Sequence, residues 1–194
     1  MKMSFDGMTL LEYSINAALA ISNVAILRHD NAGIITFGKD IHSFIHAEHH
    51  TGQISRILES LYNQNTTFLE SDYELLYMVI KKRIRQRSLL IFYTNIESLT
   101  TIKRQLPALQ SIAQNHLLLV ALFNNTEIEK MTHKEVTSVE EAYSSVIAGK
   151  FLLEKKLIVK ELNNYGINAI LTSPGNLTTG LINKYLEIKA GERI

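Results

Sequence analysis

Residues 87–95 read RSLLIFYTN, and residues 116–125 read HLLLVALFNN. Each is a continuous apolar run of strand length, closed by asparagine. A half-exposed antiparallel strand alternates apolar with polar residues. An unbroken run belongs to a strand covered on both faces, as in a parallel sheet between helix layers. Between the two runs lies IESLTTIKRQLPALQSIAQNH (96–116), apolar at helical spacing and expected to kink or restart near Pro107. Strand, helix and strand in that order form a βαβ crossover.

The same alternation continues outward. A long helix is expected over roughly 138–163, with Gly166 in its C-cap region. INAILTSP (167–174) reads as the last strand, and residues 178–189 as a final helix. Toward the N-terminus, Thr9-Leu10-Leu11-Glu12 has capping-box spacing, with Thr9 as N-cap and Glu12 reaching back. Leu11, Ile15, Ala18, Leu19 and Ser22 follow at helical spacing to about Leu27, where His29-Asp30-Asn31 ends the helix. Residues 33–38 and 41–47 read as an antiparallel hairpin turning at Lys39-Asp40. A helix follows from Thr51, with Ile54, Ile57, Leu58 and Leu61 on one face. Ser71-Asp72-Tyr73-Glu74 and Thr132-His133-Lys134-Glu135 are two further capping boxes, the first opening YELLYMVIKKRIRQ (73–86). The expected architecture is α/β: a doubly wound, mostly parallel sheet, one antiparallel edge hairpin, and helices on both faces. No linker, repeat or domain boundary interrupts it, so residues 1–194 read as a single domain.

Composition narrows the function classes. Of 194 residues, 46% are hydrophobic and 20% charged, an ordinary globular balance. The net charge of +1 provides no strong field for nucleic acid or an anionic membrane. Cysteine is absent, which excludes disulfides, thiolate zinc sites and cysteine nucleophiles. MKMSFDGM lacks the apolar core of a signal peptide, and no uninterrupted apolar run approaches the ~18 residues of a membrane helix. A cytoplasmic location is expected. P-loop, G-x-G-x-x-G and G-x-S-x-G motifs are missing.

IHSFIHAEHH (41–50) holds four of the seven histidines, His42, His46, His49 and His50, with Glu48 among them. On a helix three of them could share a cation. On a strand His42 and His46 lie ~13 Å apart at ~3.3 Å per residue. The hairpin context favours the strand, and with it a polar edge rather than a metal site. The rival class, a metal-dependent hydrolase, would need these histidines and a carboxylate to converge. KKRIRQR (81–87) contains Lys81, Lys82, Arg83, Arg85 and Arg87. It lies at a helix C-terminus, where cations suit the macrodipole, and no aromatic residue interleaves to stack bases. A solvated helix end is expected, with no nucleic-acid partner.

In an open α/β sheet, ligands bind beyond the carboxyl ends of the strands. Asn95 ends one strand, and Glu70-Ser71-Asp72 lies in a loop expected over the same edge. Their oxygens suit a hard cation such as magnesium. Each also has a plainer role, Ser71 as an N-cap and Asn95 as a turn residue.

FDGMTLLEYSINAALAISNVAILRHDNAGIITF (5–37), FLESDYELL (68–76) and LINKYLEIKAGERI (181–194) resemble bacterial proteins of domain-of-unknown-function family 58, in their von Willebrand factor A-like domain. The resemblance implies Rossmann-type layering with a magnesium site at the top of the sheet. In that family a D-x-S-x-S segment after the first strand, a later Thr or Ser and an Asp after the fourth strand hold the ion. Here Ser71 approximates the Thr, Asn95 stands at the Asp, and the first strand with its D-x-S-x-S segment is missing. The metal site is therefore expected to be degenerate, with at most weak magnesium binding and no other cofactor. The domain is expected to be N-terminally incomplete, with homo-oligomerisation through the missing-strand gap as one way to fill it. The implied function is a non-enzymatic protein-interaction module aiding assembly or maturation of complexes with a MoxR-type AAA+ ATPase. Its expected surface comprises Glu70, Ser71, Asp72, Asn95 and Glu97.

Overall fold

The computed structural model describes residues 4–5, 7–62, 64, 70–133 and 138–191. They fall into two compact units, residues 1–87 with 175–194, and residues 88–174. In the first are β1 (Ser4–Phe5), β2 (Met8–Thr9), α1 (Leu10–Leu27), β3 (Ala32–Phe37), β4 (Ile41–Glu48), α2 (Gln53–Tyr62) and α3 (Tyr73–Arg83). The second holds β5 (Leu89–Thr94), α4 (Leu99–Ala113), β6 (Leu117–Phe123), α5 (Thr126–His133), α6 (Val139–Asn164) and β7 (Asn168–Thr172). A final helix, α7 (Leu177–Ala190), returns to the first unit.

The second unit is built on a parallel sheet of order β5-β6-β7. Leu89 pairs with Leu117 through to Thr94 with Leu122, and Leu119 with Asn168 through to Phe123 with Thr172. The central strand is the apolar run LLLVALF, and Leu118–Phe123 are all buried. α4 packs on β6, and α6 on β7 and α4. Ile102, Leu106, Leu109 and Ile112 recur at helical spacing and bury one side of α4. Ser98 caps α4 by accepting from Thr101 N, and the helix runs on through Pro107. The C-terminus of α6 is a Schellman turn. Gly166 takes φ +74°, and the N–H groups of Gly166 and Ile167 donate to Asn163 O and Leu162 O.

In the first unit the capping box of α1 forms as read. Glu12 N donates to Thr9 Oγ1, and Thr9 N donates to Glu12 Oε2 at 2.6 Å. The helix ends at His29, φ +61°, in a second Schellman turn. Its buried residues are Leu10, Ser14, Ala17, Ala18, Ile21 and Ser22. Of the face expected, Ala18 and Ser22 are buried, whereas Leu11, Ile15 and Leu19 are only partly so. The helix packs on α7, and four of its six buried residues are small: Ser14, Ala17, Ala18 and Ser22. By length and mean hydropathy, 1.5 over 18 residues, α1 is long and apolar enough to cross a membrane, and a third of it is buried in the fold.

β3 and β4 pair antiparallel, with Ile34 opposite Ile45 and Ile35 opposite Phe44. Among the described residues they form a two-stranded sheet of their own. The register shifts between Ala32 and Ile34, where a Cβ on Gly33 would lie 2.6 Å from Ile45 O. The fully buried Gln53 donates through Nε2 to Ala32 O and His46 O, both at 2.7 Å. That bond pair pins α2 to both strands. Ile57 and Leu61 share the buried side of α2, whereas Leu58, expected beside them, is exposed.

Two caps differ from the expected ones. α3 is capped by Asp72, which accepts from Leu75 N at 2.9 Å, so Ser71 lies one residue before the cap. Thr132 and His133 lie in the last turn of α5 rather than opening a helix. The rest of that expected capping box, Lys134-Glu135, lies outside the described residues.

Candidate functional site at the carboxyl end of β5

Every strand of the parallel sheet ends in polar residues: Thr94-Asn95 after β5, Asn124-Asn125 after β6, and Thr172-Ser173 at β7. Asn125 Oδ1 accepts from Ile128 N and caps α5. Asn124 N donates to Thr172 O, and Asn124 Nδ2 to Glu129 Oε2. Asn124 Oδ1 and the hydroxyl of Tyr93 are buried and find no hydrogen-bond partner among the described residues, and burial pushes the Tyr93 pKa up.

The chemistry concentrates after β5. Lys155 of α6 is 1% exposed. Its Nζ donates to Asn95 Oδ1 at 2.8 Å and to Ile96 O at 2.7 Å. The ammonium also lies 5.5 Å from the Phe151 ring. Burial pulls the Lys155 pKa down to about 8, partly offset by the charges of Glu97 and Glu154. Asn95 Nδ2 donates to Glu97 Oε1 at 3.1 Å, so both ends of the amide are engaged. Glu154 Oε1 accepts from Leu99 N and satisfies the first turn of α4. Glu97 is exposed at the rim.

A dication at Asn95 would need the carboxamide oxygen as a ligand. That oxygen faces an ammonium 2.8 Å away, which a dication could not approach without displacing a buried lysine. As arranged, Asn95 does not fit the ligand role.

The remaining predicted residues lie in the first unit. Asp72 is exposed and spends its carboxylate on the α3 cap, while its N–H donates to Gly38 O. Glu70 is exposed, and Ser71 is partly buried.

The histidines fall on β4 and the turn after it, as the strand reading requires. Each meets a different neighbour. His46 packs edge-on to Phe44, His49 edge-on to His29, and His50 Nε2 lies 3.2 Å from Glu48 Oε2. His42 borders a shallow groove with Ser43, Ser60 and Gln64. Among the described residues no three His, Asp or Glu side chains converge as metal ligands. Lys81, Lys82 and Arg83 form the exposed last turn of α3, with Lys81 over the Tyr77 ring and Arg83 over Phe44.

Sequence reasoning missed Lys155, because a lysine in a long helix reads as solvated. A signal was present: Ala148, Lys155, Ile158 and Leu162 share one helical face, and the other three are apolar. The chain matches no protein-family model, no curated protein and no solved structure.

Proposed function

We propose that this chain is a non-enzymatic protein-interaction module of von Willebrand factor A-like, doubly wound type, using the carboxyl edge of its parallel sheet. The observation that carries the reading is the Lys155–Asn95 bond. In a metal-assisted domain, a dication at this edge completes the contact with a partner's carboxylate. Here a resident ammonium already holds the strand end, so the edge has fixed geometry without an ion. The exposed Glu97 carboxylate beside it is the contact group, and it suits a basic partner surface. Glu70 and Asp72 are the acidic groups we assign to the same role in the first unit. The partner class we infer is a MoxR-type AAA+ ATPase, with assembly or maturation of protein complexes as the process.

Calorimetric titration of the chain with a purified MoxR-type ATPase, without nucleotide, tests this reading. Saturable binding is expected, equal in magnesium and in chelator, and weakened about tenfold or more by Glu97→Lys. Binding that appears only with magnesium would overturn the metal-free mechanism. Absence of binding would remove this partner class.

A further inference from the structure

The helix α6 has two apolar faces. One, through Ala148, Ile158 and Leu162, is buried in its own unit. The other points away and carries Val139, Tyr143, Val146, Leu153 and Leu157, which are 40–87% exposed. Ile147 flanks them at 51%. With Lys150, these positions step by 4, 3, 4, 3 and 4 residues. That is the heptad seam of a coiled coil, not the broader stripe of a helix lying on a globular core.

We propose that this seam packs antiparallel against α6 of a second copy of the chain, about a two-fold axis near Ala148. Three features favour that occupant. First, the register closes on itself. Val139 meets Leu157 of the second copy, Tyr143 meets Leu153, and Val146 meets Lys150, so no seam position is left over. Such a patch is self-complementary, as a two-fold interface requires.

Second, Lys150 selects the direction. A parallel pair in register sets Lys150 against Lys150 inside the seam, opposing like charges where water is excluded. The antiparallel pair sets each Lys150 beside Val146, where its methylene stem covers the valine and the ammonium reaches water. Third, the centre is open. A Cβ on Gly149 would meet nothing within 4 Å, so bare backbone flanks the axis and lets the helices approach.

The seam spans about 27 Å at ~1.5 Å per residue. The exposed parts of its six apolar side chains sum to roughly 600 Å², at the upper end for the largest apolar patch on a monomer. A stable interface uses about 800 Å² per partner, which the residues bordering the seam can complete.

The chain has no cysteine, so single cysteines can report the arrangement. Sedimentation velocity across a concentration series is expected to show a monomer–dimer equilibrium. The double substitution Val146→Glu, Leu153→Glu should abolish it while circular dichroism stays unchanged, because both sites are exposed. If that variant unfolds, the cysteine variants decide. Val139→Cys mixed with Leu157→Cys should cross-link through a short bismaleimide, and neither should cross-link alone. A chain that is monomeric at every concentration overturns the proposal. So does a dimer that survives the double substitution, or Val139→Cys cross-linking to itself. A monomer that floats with phosphatidylcholine vesicles also overturns it, in favour of a lipid occupant.

Discussion

Lys155 Nζ stands 2.8 Å from Asn95 Oδ1, sixty residues away in the chain, and joins the middle of α6 to the end of β5. A second bond, to Ile96 O, gives the buried ammonium two acceptors. Removing an ammonium from water costs several kcal/mol, and two hydrogen bonds and a neighbouring ring offset only part of it. The depressed pKa records the remainder.

The first prediction concerns pH. The Lys155 pKa is about 8 in the fold against an ordinary 10.5, so the folded chain loses this proton first as pH rises. Above about 8 the unfolded chain binds more protons, and stability rises with pH. The gain amounts to about 2 kcal/mol by pH 10, beyond which buried tyrosines begin to oppose it. Urea unfolding of the native chain and of Lys155→Met at pH 7–10 measures it. The slope should be present in the first and absent in the second.

The second prediction concerns Asn95→Asp. The new carboxylate would face the Lys155 ammonium directly and restore a charge pair. The Lys155 pKa should return toward its ordinary value. The loss of the Nδ2 donor to Glu97 Oε1 and the repulsion between the two carboxylates oppose the gain, so stability at pH 7 should change by less than about 1 kcal/mol. Magnesium should leave the amide shifts around residue 95 unmoved, because the ammonium still occupies the oxygen. A saturable magnesium response at Asn95 in the native chain would count against the role given to Lys155.

The hairpin supplies the third. A Cβ at residue 33 meets backbone at 2.6–2.9 Å, from Ile45 O, Ala47 N and His46 C, and none of these is a flexible side-chain end. Gly33→Ala should therefore cost about 1–3 kcal/mol. Gln53→Leu keeps the volume but removes the donor that Gln53 gives to Ala32 O and His46 O, at a similar cost. Thermal unfolding of each variant checks both.

The fourth lies where α1 meets α7. Asp30 accepts from the Tyr185 hydroxyl and from Lys189 Nζ, the latter at 2.6 Å. Burial alone would raise its pKa, but these bonds and the charges of Lys189 and Arg28 outweigh that and hold it below 3.8. A lowered carboxylate pKa adds stability above 3.8, and the gain fades as pH falls through the folded value. Asp30 is 37% exposed, so the contribution should stay under about 1 kcal/mol. The stability gap between the native chain and Asp30→Asn should close in acid.

Local features were the most legible. The Thr9–Glu12 capping box, the turn at His29, the Gly166 turn and the strands at 89–94 and 117–123 all follow from neighbouring residues. Errors of one position occurred where two adjacent residues could serve. Ser71 and Asp72 are both good N-caps, and Asp72 took the role. Helix α5 went unread although Asn125 is a recognisable cap, because the preceding strand already accounted for the asparagine.

The sequence by itself determined the α/β alternation, because continuous apolar runs and 3.6-residue spacing are properties of neighbours along the chain. It also determined that IHSFIHA (41–47) is a strand, because residues that break and turn the chain flank it. The tertiary structure decided which partners meet. Lys155 reaches Asn95, and Gln53 reaches both strands of the hairpin, because packing brings distant segments together. It also decided that one face of α6 is buried and the opposite one exposed. Both faces are apolar in sequence, and only the covering of the first by its own unit tells them apart.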